Sequence, residues 1–302
     1  MTDLQKYLAE EIAVDHVDGH LTRREALRRL ALLGLGAAAA SSMLAACANE
    51  KASQPAPAPT GAPSGDAAPP AAPSAALPAE AITFAGPEGR TLQGSWSAAA
   101  KPRGGVLVIH ENKGLTDHFK QLPGRFAAAG YAALAIDLLS EEGGTASLGD
   151  PANATAALNK VPVERFVADM RAGLDEIARR APGVKLGAIG FCFGGAMTWQ
   201  LIASKDPRLA AAAPFYGPLP SGADFTGSKA AVLGVFAEKD ARVNATRDAA
   251  KEALAKAGLT HEIVTYPGVD HAFFNDTGPR YDANAAAQAW AKVLEWFGRH
   301  VG

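Results

Sequence analysis

The residues with the clearest chemical meaning are Gly190-Phe191-Cys192-Phe193-Gly194-Gly195. A short apolar run precedes them and a helical pattern carrying Met197, Leu201 and Ile202 follows. Strand, sharp turn, helix is the setting of a nucleophile elbow, here with cysteine where serine is usual. Side chains at 190 and 194 would clash with the neighbouring strand and helix, so glycine is required there. The turn lifts the sulfur above the carboxyl edge of a sheet and aims the Phe193 N–H and a helix N-terminus at the reacting centre, an arrangement that favours negative charge on sulfur.

A thiol nucleophile needs a base and a group to orient it, and in this context they follow in the order nucleophile, acid, histidine. Two segments just past apolar runs supply them: Glu238-Lys239-Asp240, and Gly268-Val269-Asp270-His271-Ala272-Phe273-Phe274. Asp240 is the preferred acid, with Glu238 and Asp270 as rivals. His271 is the preferred base, taking the thiol proton and later activating water. His16 and His20 lie in the leader, and His118, His261 and His300 fall on predicted helices or a strand start. A third segment, Val106 to Gly114, runs from a strand into the polar loop His110-Glu111-Asn112-Lys113-Gly114. Its position suits a second oxyanion donor, the backbone N–H of Asn112, joining that of Phe193. The alternative for His110 and Glu111 is an ordinary solvated strand end.

These groups need a sheet to place them. Apolar runs at 92–97, 105–109, 132–136, 184–189, 209–215, 231–236 and 262–266 alternate with helical patterns at 117–129, 162–180, 194–204, 245–257 and 284–300. Such alternation predicts an α/β fold with a mainly parallel sheet covered by helices on both faces. Residues 82–84 and 92–97, joined by a turn-rich segment, predict an antiparallel hairpin at the sheet edge.

Before residue 81 the chain reads differently. Thr22-Arg23-Arg24-Glu25-Ala26-Leu27-Arg28 precedes a weakly apolar run of about 17 residues ending in Leu44-Ala45-Ala46-Cys47. A paired arginine ahead of such a run resembles a twin-arginine export signal, and its end resembles a lipobox with Cys47 as the lipidated residue. Residues 1–46 are therefore expected to be a signal peptide. Residues 47–80, rich in Ala, Pro, Ser and Gly, are expected to be a disordered tether, and 81–302 a single domain. The protein is thus expected to be exported, periplasmic or anchored by lipid to a membrane of the cell envelope. With Cys47 lipidated, Cys192 would have no partner for an intramolecular disulfide. The chain carries 29 basic and 31 acidic residues with no basic block in the domain, which argues against a nucleic-acid partner. Nothing in the sequence marks a subunit interface, so a monomer is the default.

Four stretches, VIHENKGL (108–115), GFCFGG (190–195), Glu238-Lys239-Asp240 and DHAFFND (270–276), together resemble the dienelactone hydrolase family. The resemblance implies an α/β-hydrolase fold and hydrolysis of lactones or small esters through an acyl-thioester, without cofactor or metal. It places nucleophile, acid and base at Cys192, Asp240 and His271. It also implies that Glu111 contacts the resting thiol and helps control its ionisation. Four residues past the histidine, where the best-studied members carry an arginine that binds a substrate carboxylate, this chain has Asn275. Lys113, Arg242 and Arg280 are the candidates to replace that arginine. Two other functions compete. One is a non-catalytic binding protein that retains the fold; the joint presence of Cys192, Asp240 and His271 weighs against it. The other is a redox-sensing thiol, against which stands the lack of a resolving cysteine in the processed chain.

Overall fold

The computed structural model describes residues 2–53 and 75–302, with the side chains of 50–53 excepted. The chain divides into two compact units, Met1–Ala72 and Pro73–Gly302. The first holds three helices, α1 (Asp3–Val17), α2 (Arg23–Leu32) and α3 (Ala37–Ser53). Thr2 and Gln5 form a reciprocal capping box on α1, and Thr22 caps α2. Ile12, Ala26, Leu30, Ala40 and Leu44 make a small core. Arg23 and Arg24 are exposed on α2, while Cys47 is partly buried against the core. No described helix is long and apolar enough to cross a membrane.

The expected tether over 47–80 meets the structure at its two ends only, because residues 54–74 lie outside the described residues. At the start the expectation needs correction: 47–53 continue α3 as helix. At the far end, Leu77 donates its N–H to the Gly124 carbonyl, and Pro78 accepts from the Ser97 hydroxyl. These residues already belong to the second unit.

That unit runs β1 (Glu80–Ala85), β2 (Thr91–Ala98), β3 (Gly105–Ile109), α4 (Asp117–Ala128), β4 (Ala132–Asp137), α5 (Pro151–Leu158), α6 (Val163–Arg180), β5 (Leu186–Phe191), α7 (Phe193–Ala203), β6 (Leu209–Phe215), β7 (Ala231–Ala237), α8 (Ala241–Asn244), α9 (Arg247–Lys256), β8 (His261–Tyr266) and α10 (Ala283–His300). The sheet order is β1-β2-β4-β3-β5-β6-β7-β8. β1 and β2 pair antiparallel, as do β2 and β4, and the remaining pairs are parallel. This is the α/β-hydrolase fold that the sequence led us to expect. Strands β3, β4, β5 and β7 are buried along their whole length, whereas the edge strands β1 and β8 are partly exposed. Burial on both faces explains their continuous apolar sequences. The rings of Phe126 and Trp290 join α4 to α10, and Phe166 meets Phe193 between α6 and α7.

The register matters most at β3 and β5. Ile109 is paired with Gly190, so the loops that begin at His110 and Cys192 leave the carboxyl edge side by side. From β3 the chain crosses to β4 on one side and then returns to β5 on the other; crevices at such reversals are where open α/β sheets build sites.

Candidate active site

Cys192 sits between β5 and α7 with φ 56° and ψ −116°. Few non-glycine residues adopt a positive φ, and doing so at the end of a strand turns the chain sharply into the helix. A Cβ on Gly190 would overlap the Gly194 carbonyl oxygen, and one on Gly194 would overlap the carbonyl oxygens of Ile109 and His110. The two glycines let strand, turn and helix meet at backbone contact. Cys192 donates its N–H to the Phe215 carbonyl at 3.0 Å, and its own carbonyl accepts from Ala196 at 3.1 Å. Phe193 is the first residue of α7, so its N–H has no acceptor within the helix.

The Cys192 sulfur lies within 4.8 Å of a ring nitrogen of His271. The Nδ1 of His271 is 2.5 Å from Oδ2 of Asp240, which leaves Nε2 as the nitrogen for the thiol. The other oxygen of Asp240 accepts the Val243 N–H and so caps α8, fixing the carboxylate from below. All three side chains are buried. Burial alone would lower the His271 imidazole; the Asp240 carboxylate and then the Cys192 sulfur outweigh it and raise the ring to about 10. Neither rival acid reaches this position through its hydrogen bonds. Glu238 accepts the Gly268 N–H at 2.8 Å, and Asp270 accepts the backbone N–H of His271 at 2.8 Å. Both shape the loop that carries His271.

Glu111 is buried, so it does not form a solvated strand end. Its Oε2 accepts from Nδ2 of Asn275 at 2.8 Å, and its Oε1 from the Tyr216 hydroxyl at 3.4 Å. Asn275, at the position expected to bind substrate, therefore directs its amide to Glu111, while its Oδ1 accepts from the N–H and hydroxyl of Thr277. Lys113 is exposed on the loop after β3. Arg242 in α8 and Arg280 in the segment before α10 are half-buried. The Asn112 carbonyl accepts from the Thr155 hydroxyl at 3.0 Å, which ties the loop to α5.

Tyr216 escaped the sequence reading. It follows β6, has φ 34°, and packs its ring edge-on against His271 with centroids 5.1 Å apart. Burial, then the neighbouring Glu111 carboxyl and Cys192 sulfur, raises its phenol well above the ordinary value, so it stays protonated and donates to Glu111. Its place at the carboxyl end of a parallel strand is the signal that could have found it. Positive φ recurs here: of the five such non-glycine residues among the described residues, Glu88, Cys192, Lys205, Tyr216 and Ala272, three lie at this site or next to His271. Strained backbone of this kind clusters at functional sites.

The sequence profile of the dienelactone hydrolase family matches residues 92–301. A Methylorubrum extorquens protein named "Putative carboxymethylenebutenolidase" is 33% identical over 209 residues, covering 64% of this chain and 70% of its own. An Escherichia coli K12 protein of the same name is 31% identical over 210 residues, covering 65% of this chain and 77% of its own. Among solved structures, a Klebsiella pneumoniae protein named "Putative Dienelactone Hydrolase" superposes with a TM-score of 0.64 at 30% identity, over 74% of this chain and 100% of its own. The chain belongs to the dienelactone hydrolase family.

Proposed function

We propose that this protein hydrolyses lactones or small carboxylic esters, with Cys192 as nucleophile and an acyl-thioester as intermediate. The observation that carries the reading is the sulfur at a left-handed elbow beside an imidazole whose far nitrogen is bound to a buried carboxylate. The name carboxymethylenebutenolidase, borne by the relatives, describes lactone opening and supports the same class.

In the first half, sulfur forms a bond to the substrate carbonyl carbon, and the carbonyl π electrons move onto oxygen. The N–H groups of Phe193 and Asn112 stabilise that oxyanion; one such donor is typically worth about 10²–10³ in rate. Collapse breaks the bond to the leaving oxygen, which takes a proton from the His271 imidazolium. In a lactone the leaving alcohol stays attached to the acyl group. In the second half, His271 takes a proton from water, the hydroxide oxygen adds to the thioester, and the thiolate departs. Asp240 stabilises the imidazolium in both halves and keeps the proton of Nδ1 in place. Glu111, fixed by Asn275 and Tyr216, sets the charge near the sulfur.

The test is hydrolysis of p-nitrophenyl acetate and of a small lactone set, with and without a free carboxylate. Activity lost in Cys192→Ala supports the reading, and unchanged activity in that variant rejects it. An advantage for carboxylate-bearing lactones would turn attention to Lys113, Arg242 and Arg280 as the cations that replace the arginine.

We also propose that residues 1–46 direct export and that Cys47 is lipidated, on the strength of Arg23-Arg24 and the Leu44-Ala45-Ala46-Cys47 sequence. Replacing both arginines with lysine should block export in cells, and Cys47→Ala should release the exported protein from membranes. Export unaffected by the first change would remove the twin-arginine reading.

A further inference from the structure

His110 is the last position before the loop that carries Glu111 and Asn112, and it is fully buried. Its two ring nitrogens have fixed partners. Nε2 lies 3.1 Å from the backbone nitrogen of Leu138, which can only donate, so Nε2 is the acceptor. The proton is therefore on Nδ1, 2.7 Å from the Glu111 carbonyl oxygen, which can only accept. The Glu111 carbonyl and the Asn112 N–H belong to one planar trans peptide and point in opposite directions. Pinning the carbonyl toward the His110 ring turns the N–H away from it. The same imidazole lies nearly parallel to the ring of Phe193, 20° between planes and 6.1 Å between centroids.

We propose that His110 is a positioning residue for the oxyanion hole: its Nδ1–H holds the Glu111–Asn112 peptide so that the Asn112 N–H points at the substrate oxygen, while its ring packs against Phe193, whose N–H is the other donor. This rests on the reading of Cys192 as nucleophile. Burial lowers the ring from its ordinary value and Asp137, 3.9 Å away, only partly opposes it, so the ring stays neutral and can serve as both donor and acceptor. The Gly114 N–H also reaches the Glu111 carbonyl, at 3.1 Å. It closes the turn from the loop side, whereas the imidazole anchors the peptide to the end of β4.

Two substitutions in the full-length chain separate positioning from mere support. His110→Asn keeps an N–H where Nδ1 stood and loses the acceptor for Leu138. His110→Gln keeps an acceptor near Nε2 and loses the donor to Glu111. With p-nitrophenyl acetate, His110→Gln should lower kcat about tenfold to hundredfold with KM changed less than about threefold, because the lost contact acts on the transition state. His110→Asn should retain kcat within about threefold. Inhibition by a small aliphatic trifluoromethyl ketone reports the same geometry. Sulfur adds to its carbonyl carbon, the carbonyl electrons become an oxyanion, and the thiol proton rests on His271; affinity should fall in His110→Gln by the same factor as kcat.

Equal losses in both variants, or none in His110→Gln, would overturn the proposal. Should both variants fail to fold, the wild-type protein still decides it. Its ¹⁵N spectrum should show His110 as the neutral tautomer protonated on Nδ1, and an imidazolium or the opposite tautomer would overturn it. A wild-type protein that neither turns over the ester nor binds the ketone overturns the nucleophile reading and this inference together, an outcome distinct from an active enzyme indifferent to His110→Gln.

Discussion

Two histidines stand near the carboxyl edge of one sheet, both buried, and they are driven in opposite directions. His271 has the Asp240 carboxylate at 2.5 Å and a sulfur close to its other nitrogen, and is raised to about 10. His110 has a backbone carbonyl on one side and a backbone N–H on the other, with its nearest carboxylate at 3.9 Å, and is lowered. Burial acts alike on both, so the charge of the bonded partner decides the protonation state. The first ring is favoured in its charged form. The second is built to keep a proton on Nδ1.

Removing the groups beside the charged ring should have the largest effect. Cys192→Ala should abolish ester hydrolysis, and His271→Ala should lower kcat about 10²–10⁴-fold, measured on p-nitrophenyl acetate. Asp240→Asn comes next, at roughly 10²-fold or more, because an amide cannot stabilise the imidazolium. Its effect on pH is more telling. On the proposed mechanism, deprotonation of His271 removes the acid for the leaving alcohol, so the alkaline limb of wild-type activity is expected near about 10 and should move to lower pH in Asp240→Asn. The same linkage acts on stability. A folded-state value above the ordinary 6.5 gives stabilisation that is complete below that value and lost as pH rises through about 10. Thermal unfolding should therefore show the two proteins differing most at pH 6 and converging toward pH 10; a constant gap would contradict the ion pair.

Smaller effects test how Glu111 is held. Asn275→Ala removes one hydrogen bond to a buried carboxylate and should change kcat by about tenfold, the size of a charged hydrogen bond of roughly 1.5 kcal/mol. Tyr216→Phe removes the longer of the two contacts, at 3.4 Å, and should cost less. Glu238→Gln, at the rival acid, should leave kcat within about twofold, because its carboxylate engages the Gly268 N–H. A large loss there would move the orienting role away from Asp240.

The parts of this site that were legible in the sequence are those whose steric demands are local. Gly190 and Gly194 mark the elbow because any side chain there would strike backbone a few atoms away, and Asp240 and His271 stand out because they sit just past strand ends. The strand before the elbow runs Leu186–Phe191, two residues later than the expected 184–189, because Gly190 and Phe191 look like turn residues yet stay in the ladder with Pro214 and Phe215. The helix expected at 245–257 is α9, and the short α8 just before it is an addition that owes its start to the Asp240 cap. The sequence pattern does not predict the helix at Pro151–Leu158, nor the helices α1, α2 and α3. Tyr216 carries no motif, and its importance appears only when β6 is set beside β5. The sequence does not decide whether His110 is solvated or functional, because its partner Leu138 is 28 residues away. Whether a polar strand end is solvated or buried depends on which loop covers it, and that is fixed by sheet order.

The most direct measurement is to stop the p-nitrophenyl acetate reaction in acid within the first turnover and locate the acyl group by intact mass and peptide mapping. The expected result is one acetyl group on Cys192, absent from Cys192→Ala and formed more slowly in His271→Ala. Turnover that proceeds with Cys192 unmodified, or with the acetyl group on another residue, would contradict thiol catalysis at this site.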